Sequence, residues 1–206
     1  ERVHPADLWP VERRFREPEG AASAEPFAYG PEARAKLDSA VLRIVKTGDV
    51  QAALRLRDTC LGFVAAEQDR QSRVFWKICA GFFEALGCGL LPPDVYVKRV
   101  ASRVLMQYAT LARGDTTIAD RLVQDLLFYC SQGVPGTSPT DSACPSLLAV
   151  RQAFSLDRFK PVDYESARFG RFDPAVLSQA RKRIASASET WSALAGGDRN
   201  KLKPAV

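Results

Sequence analysis

The side chains able to carry chemistry are few and scattered. His4 is the chain's single histidine and stands near the start, ahead of any periodic segment. That removes Ser-His and Cys-His nucleophile systems and most zinc-enzyme arrangements, because each needs an imidazole held in a packed site. The five cysteines, Cys60, Cys79, Cys88, Cys130 and Cys144, show no CxxC spacing and are odd in number. Four of them fall in or beside apolar helical segments, so they read as buried thiols of a reducing compartment rather than disulfides or a metal site. Asp120 and Asp125 form a carboxylate pair, but on an amphipathic helix such a pair reads as a solvated face or as salt-bridge partners. Gly87-Cys88-Gly89 has neither the spacing nor the strand-turn-helix context of a phosphate loop. Arg181-Lys182-Arg183 could touch phosphate, yet Ala180 and Ile184 bracket the triplet and make it the wet side of a helix. No cofactor and no metal is expected.

A second kind of chemistry is recognition. Residues 155–172 interleave Phe159, Tyr164, Phe169 and Phe172 with Arg158, Lys160, Arg168 and Arg171, and Pro161 and Gly170 keep the segment from being one helix. Aromatic and arginine side chains together are typical of interface hot spots. The bland alternative is that the rings staple a crossover to the core. Both hold if the rings pack inward while the cations face an acidic protein partner. Lys98, Arg99 and Arg103 make a second candidate surface.

The elements that must position these residues are helical. From Pro31, Leu37, Ala40, Val41, Ile44 and Val45 share one face until Gly48 stops the first helix. Asp49 N-caps a second, to about residue 67, carrying Ala53, Leu56, Cys60, Phe63 and Val64. A third, about 72–86, is apolar on most sides and therefore central, with Ala80 and Gly81 leaving room for a neighbouring backbone. The fourth, about 94–113, turns Val97, Val100, Ala101, Val104, Leu105, Tyr108 and Leu111 inward and Lys98, Arg99 and Arg103 outward. A fifth spans about 117–131 and a short sixth about 145–154, across a polar loop at 132–145. Asp173 and Pro174 open a last helix with Leu177, Ala180, Ile184, Ala187, Trp191 and Leu194 on its apolar side, and Gly196-Gly197 ends it. The expected fold is all-α, an antiparallel bundle of about seven helices: residues 1–30 an extended arm or linker held by Trp9, Phe15, Phe27 and Tyr29, residues 31–197 the bundle, and 198–206 a tail.

Composition suits that reading. At 206 residues and 46% hydrophobic content the chain can bury a full core. Its 29 basic and 24 acidic residues leave a net charge of +5, a mild excess that suits a soluble protein better than a dedicated nucleic-acid binder. A basic helical nucleic-acid-binding domain is the alternative. No apolar run reaches membrane-spanning length, so no membrane insertion is expected. Glu1 in place of an initiator Met suggests a piece cut from a longer polypeptide.

Three long runs carry a resemblance to a known family. Val74-Phe75-Trp76-Lys77 with Phe82-Phe83-Glu84-Ala85-Leu86, the run 94–105, and Asp120-Arg121-Leu122-Val123-Gln124-Asp125-Leu126-Leu127-Phe128 are similar to the N-terminal module of PilL/ChpA-type hybrid histidine kinases, itself similar to the FimL scaffold protein. The likeness continues through Arg158-Phe159-Lys160-Pro161-Val162-Asp163-Tyr164 and Phe169-Gly170-Arg171-Phe172-Asp173-Pro174, and covers about residues 31–197. It implies a non-catalytic, cytoplasmic scaffold domain of a CheA-like kinase that governs type IV pilus twitching motility. The partner it implies is a response regulator, a polar-localisation protein or another domain of the same kinase. Such modules are related to histidine phosphotransfer domains, whose helix presents HxxKG. Here Lys77-Ile78-Cys79-Ala80-Gly81 is the nearest match, with Lys77 where the phosphorylatable His would be and Ala80 where the Lys would be. A lysine amine stays protonated near neutral pH and cannot replace an imidazole as phosphoryl acceptor. The resemblance therefore implies a degenerate, phosphotransfer-like core with an extra C-terminal helix.

Overall fold

The computed structural model describes residues 8, 9, 16–19, 24–136, 144–159, 161, 179, 181–186, 188 and 191. The chain divides into two compact units, Glu1–Val162 and Asp163–Val206. Among its described residues the first contains six α-helices, α1 (Pro31–Thr47), α2 (Val50–Ala66), α3 (Arg70–Gly87), α4 (Val95–Leu111), α5 (Asp120–Gln132) and α6 (Pro145–Phe154), and then a short 3-10 turn, Leu156–Arg158. No strand occurs among the described residues. In the second unit the described residues 179, 181–186, 188 and 191 are helical. Ile184 and Trp191 are exposed there, whereas their spacing puts both on a buried side; a periodic apolar stripe states which residues share a face, not that the face is covered.

Local chemistry sets most helix ends. Gly48 stops α1 in the left-handed conformation, at φ 66°, and its N–H bonds the Ile44 carbonyl. The next residue, Asp49, caps α2 by accepting from the Gln51 and Ala52 amides at 2.9 and 3.1 Å. Asp94 does the same for α4 through Tyr96 and Val97. Helix α3 starts earlier than its apolar period indicates, because Asp69 accepts from the Ser72 amide at 2.8 Å and so caps a turn of polar residues. Helix α5 starts later, at Asp120. The buried Gln107 of α4 holds the approach to it, donating to the Thr117 carbonyl at 2.8 Å and accepting from the Ala119 amide at 3.1 Å.

Helix α3 is the centre, packed against α2, α5 and α6, while α4 packs on α1 and α5. Phe75, Trp76, Ile78, Cys79, Phe82 and Phe83 are buried all round it. At Gly81 a Cβ would meet Val150 Cγ2 at 2.9 Å and the Ser146 carbonyl at 3.2 Å; its absence lets α6 approach the α3 backbone. Helix α6 begins at Pro145 without a side-chain cap of its own. Glu84 of α3 supplies one across the interface, accepting from the Leu147 amide at 2.8 Å while the Arg57 guanidinium of α2 stands 3.4 Å from its other oxygen. Arg151, on α6, donates to the Cys130, Ser131 and Gly133 carbonyls at 2.8, 3.0 and 3.1 Å, and so caps the C-terminal end of α5.

These buried contacts rank the helices' sensitivity to substitution. Val104 is fully buried on α4, so Val104→Asp is expected to unfold the chain: an unpaired interior charge costs several kcal/mol, about the size of a domain's net stability. Glu84→Ala should cost about 1–3 kcal/mol by orphaning a buried amide, and Glu84→Gln, which keeps an acceptor, less. Thermal melts of the three variants check the order; an unshifted melting temperature in Glu84→Ala would contradict the cross-helix cap.

Candidate functional site

Lys77, Ala80 and Gly81, the residues in register with a phosphotransfer motif, do not form an open site. Ala80 is buried, and Gly81 is buried against α6. Lys77 lies on the α3 surface but is covered by the arm: its Nζ donates to Glu17 Oε1 at 2.8 Å and to the Pro18 carbonyl at 2.9 Å. Glu17 also accepts from Arg73 Nε and Nη2 at 2.8 and 3.2 Å. The Arg73 hydrogen bond, aided by Lys77 and opposed by partial burial, holds the Glu17 carboxyl down at about 2. Next to it, Arg16 donates to the Ala153 carbonyl at 3.0 Å and to Ser155 Oγ at 3.1 Å, so the arm bridges α3 and α6.

Further anchors of the arm are aromatic. Tyr29 donates to Glu67 Oε2 at 2.7 Å, accepts from Trp76 Nε1 at 2.8 Å, and packs on Phe63 and Tyr108. Burial, then the Glu67 hydrogen bond, raises the Tyr29 phenol well above its ordinary value. Phe27 stacks on Phe63, and Trp9 packs on Phe154 while donating to Asp120 at 3.2 Å. His4 and Phe15 lie outside the described residues.

The two recognition surfaces fare differently. Arg158 is exposed just past α6, with its guanidinium 4.6 Å from the centre of the Phe159 ring, which packs partly against the core. Lys160, Tyr164, Phe169, Phe172, Arg168 and Arg171 lie outside the described residues. On α4, Lys98 is half-buried and Arg99 exposed, 5.9 Å from the Tyr96 ring. Arg103 departs from its expected outward place: it is half-buried and pairs with Asp125 of α5, which Arg121 also approaches at 3.3 Å. Helix α5 packs on α4 and brings the Asp125 carboxylate to Arg103; periodicity alone classes it as solvent-facing. Sequence reading also misses the apolar part of this face, Val95, Tyr96 and Met106, exposed by 60% or more. Val95, Arg99 and Met106 share one side of α4, and that spacing was the signal available.

The fold and these sites define an all-helical module whose motif-position lysine is engaged by the arm and whose open surfaces combine aromatic, apolar and cationic side chains. The chain belongs to the family described as the FimL scaffold protein second domain, whose model matches residues 22–167. No curated protein and no solved structure matches the chain.

The arm contact generates a pH dependence. Because the folded Glu17 value, about 2, lies below the ordinary 4.5, its stabilisation is complete above pH ~4.5 and is lost as pH falls towards 2. Stability curves of the wild type and Glu17→Gln are expected to converge over that window and to run apart above it. Parallel curves from pH 7 to 2 would contradict the docking of the arm through this carboxylate.

Proposed function

We propose that the chain is a non-enzymatic docking domain of a cytoplasmic, CheA-like histidine kinase of the type IV pilus chemosensory system, a degenerate phosphotransfer-like module that binds a protein partner and passes no phosphate. The observation that carries this is membership of the FimL scaffold family over residues 22–167. Two features of the bundle support it. First, an acceptor for phosphoryl transfer must meet a second protein's active site, and Lys77, in the acceptor register, is instead tied to Glu17 and Pro18. Second, many cations are consumed within the bundle, among them Arg57, Arg73, Lys77, Arg103 and Arg151, which dilutes any stripe for a phosphate backbone. In addition, no helix among the described residues is long and apolar enough to cross a membrane.

The docking surface in this reading is the segment that begins at Arg158 and Phe159 and continues through Lys160, Tyr164, Arg168 and Arg171. The face of α4 with Tyr96, Lys98, Arg99 and Met106 comes next. An acidic partner suits both, since rim cations accelerate and orient encounter while the rings supply contact area.

Two outcomes follow for the intact chain. Offered a phosphorylated response regulator or an active kinase core, it takes no label, and Lys77→His does not create a site, because Ala80 supplies no cation at the motif's Lys position and the nearby Arg73 is already paired with Glu17. Acid-labile, base-stable label on the wild type would overturn this and point to His4. Simultaneous charge reversal at Arg158, Lys160, Arg168 and Arg171 should leave the melting temperature nearly unchanged while weakening capture of the partner from piliated cells. Undiminished capture by the folded variant would move the surface to α4.

A further inference from the structure

Two cysteines stand apart from the other three. Cys60, Cys79 and Cys130 are fully buried in helix interiors, and burial pushes all three thiols up, Cys130 to about 12; thiols so placed are chemically inert. Cys88 is exposed and is the C-cap of α3, while the buried Cys144 is the N-cap residue of α6. Although 56 positions separate them in the chain, their Sγ atoms are 2.7 Å apart. Two sulfurs at this separation have no atom between them and lie within van der Waals contact. One of the pair is open to solvent and the other is closed to it, so a reagent from solution meets Cys88 first.

We propose that Cys88 and Cys144 are a peroxide-reactive thiol pair, with Cys88 the sulfur attacked from solution and Cys144 the resolving sulfur of an intramolecular disulfide. In the first step the Cys88 thiolate attacks one peroxide oxygen. A sulfur–oxygen bond forms, the O–O bond breaks, and the departing hydroxide takes up a proton to leave as water, giving a sulfenic acid. In the second, the Cys144 sulfur, having given up its proton, attacks the Cys88 sulfur. The sulfur–oxygen bond breaks, hydroxide leaves and is protonated to a second water, and the S–S bond is formed. Two thiols and one hydrogen peroxide become one disulfide and two waters, the thiols losing two electrons and the peroxide gaining them. A dithiol reductant reverses the product by exchange.

The position of the bond gives it a mechanical consequence. Cys88 lies one helical turn beyond Glu84, and its amide bonds the Glu84 carbonyl at 2.8 Å. Cys144 lies three residues before Leu147, whose amide the Glu84 side chain caps. Oxidation would thus add a covalent tie at the junction where α6 is already held on α3, and would fix the end of α6 that follows residues 137–143.

The test treats the intact reduced chain with hydrogen peroxide and quenches with an alkylating reagent under denaturing conditions. The expected product is a monomer that yields a linked Cys88–Cys144 peptide and leaves Cys60, Cys79 and Cys130 alkylated. Its melting temperature should rise by about 8–17 °C, the scale expected for closing a loop of this length in a chain of this size, and dithiothreitol should return it. Cys88→Ser, a change at an exposed site, keeps the fold and abolishes both the link and the rise. Alkylation of Cys144 after treatment, with Cys88 carried on to sulfinic acid or bonded to a second copy, would overturn the proposal.

Discussion

Helix α6 cannot start on its own. Pro145 removes one of its first-turn donors, but Cys144 supplies no side-chain cap, and the Leu147 amide is buried where water cannot reach it. A donor left so would cost more than a typical hydrogen bond contributes. Glu84 resolves this from another helix, and the position is a compromise. Burial pushes its carboxyl up, while the Leu147 amide and the Arg57 charge pull it back. The contacts around α6 fit that one. Gly81 lets α6 come close enough to reach Glu84. Arg151, once α6 is seated, faces the end of α5 and satisfies three of its carbonyls, with Asp157 accepting its remaining donors at 2.7 and 3.0 Å.

This arrangement bears on function by deciding which surfaces are open. With α6 on one side of α3 and the arm bridging both at Glu17 and Arg16, the part of α3 that would present an acceptor in a phosphotransfer domain is packed. Among the described residues, aromatic or apolar and cationic groups reach solvent together on α4, at Tyr96, Arg99 and Met106, and Arg158 is exposed just past α6.

What the sequence shows of this, and what it hides, divides by range. Asp49 is legible because a cap bonds amides two and three residues on. Helix α3 is legible as the centre because Phe75, Ile78, Phe82 and Phe83 make it apolar on most sides. Local chemistry that lacks an apolar marker is harder: Asp69 caps a turn of Arg70, Gln71 and Ser72, which periodicity passes over. Contacts between distant residues are invisible. Glu84 reads as one polar residue in an apolar helix, Arg151 as a cation near a helix end, and Cys88 and Cys144 as unrelated thiols. Arg103 reads as outward because only the tertiary fold brings Asp125 beside it. Lys77 can be placed in register with a motif, but its Glu17 partner sits sixty residues earlier and nothing local announces it.

The central claim is that Glu84 seats α6 as part of the core rather than as a loosely docked appendage. Native-state hydrogen exchange at the Leu147 amide tests it most directly. The account predicts that this amide exchanges only with global unfolding, at the same free energy as the amides of Phe82 and Phe83 in α3, and that the two respond in parallel to denaturant. Exchange at the rate of a fraying helix end, independent of denaturant while the α3 amides remain protected, would contradict it.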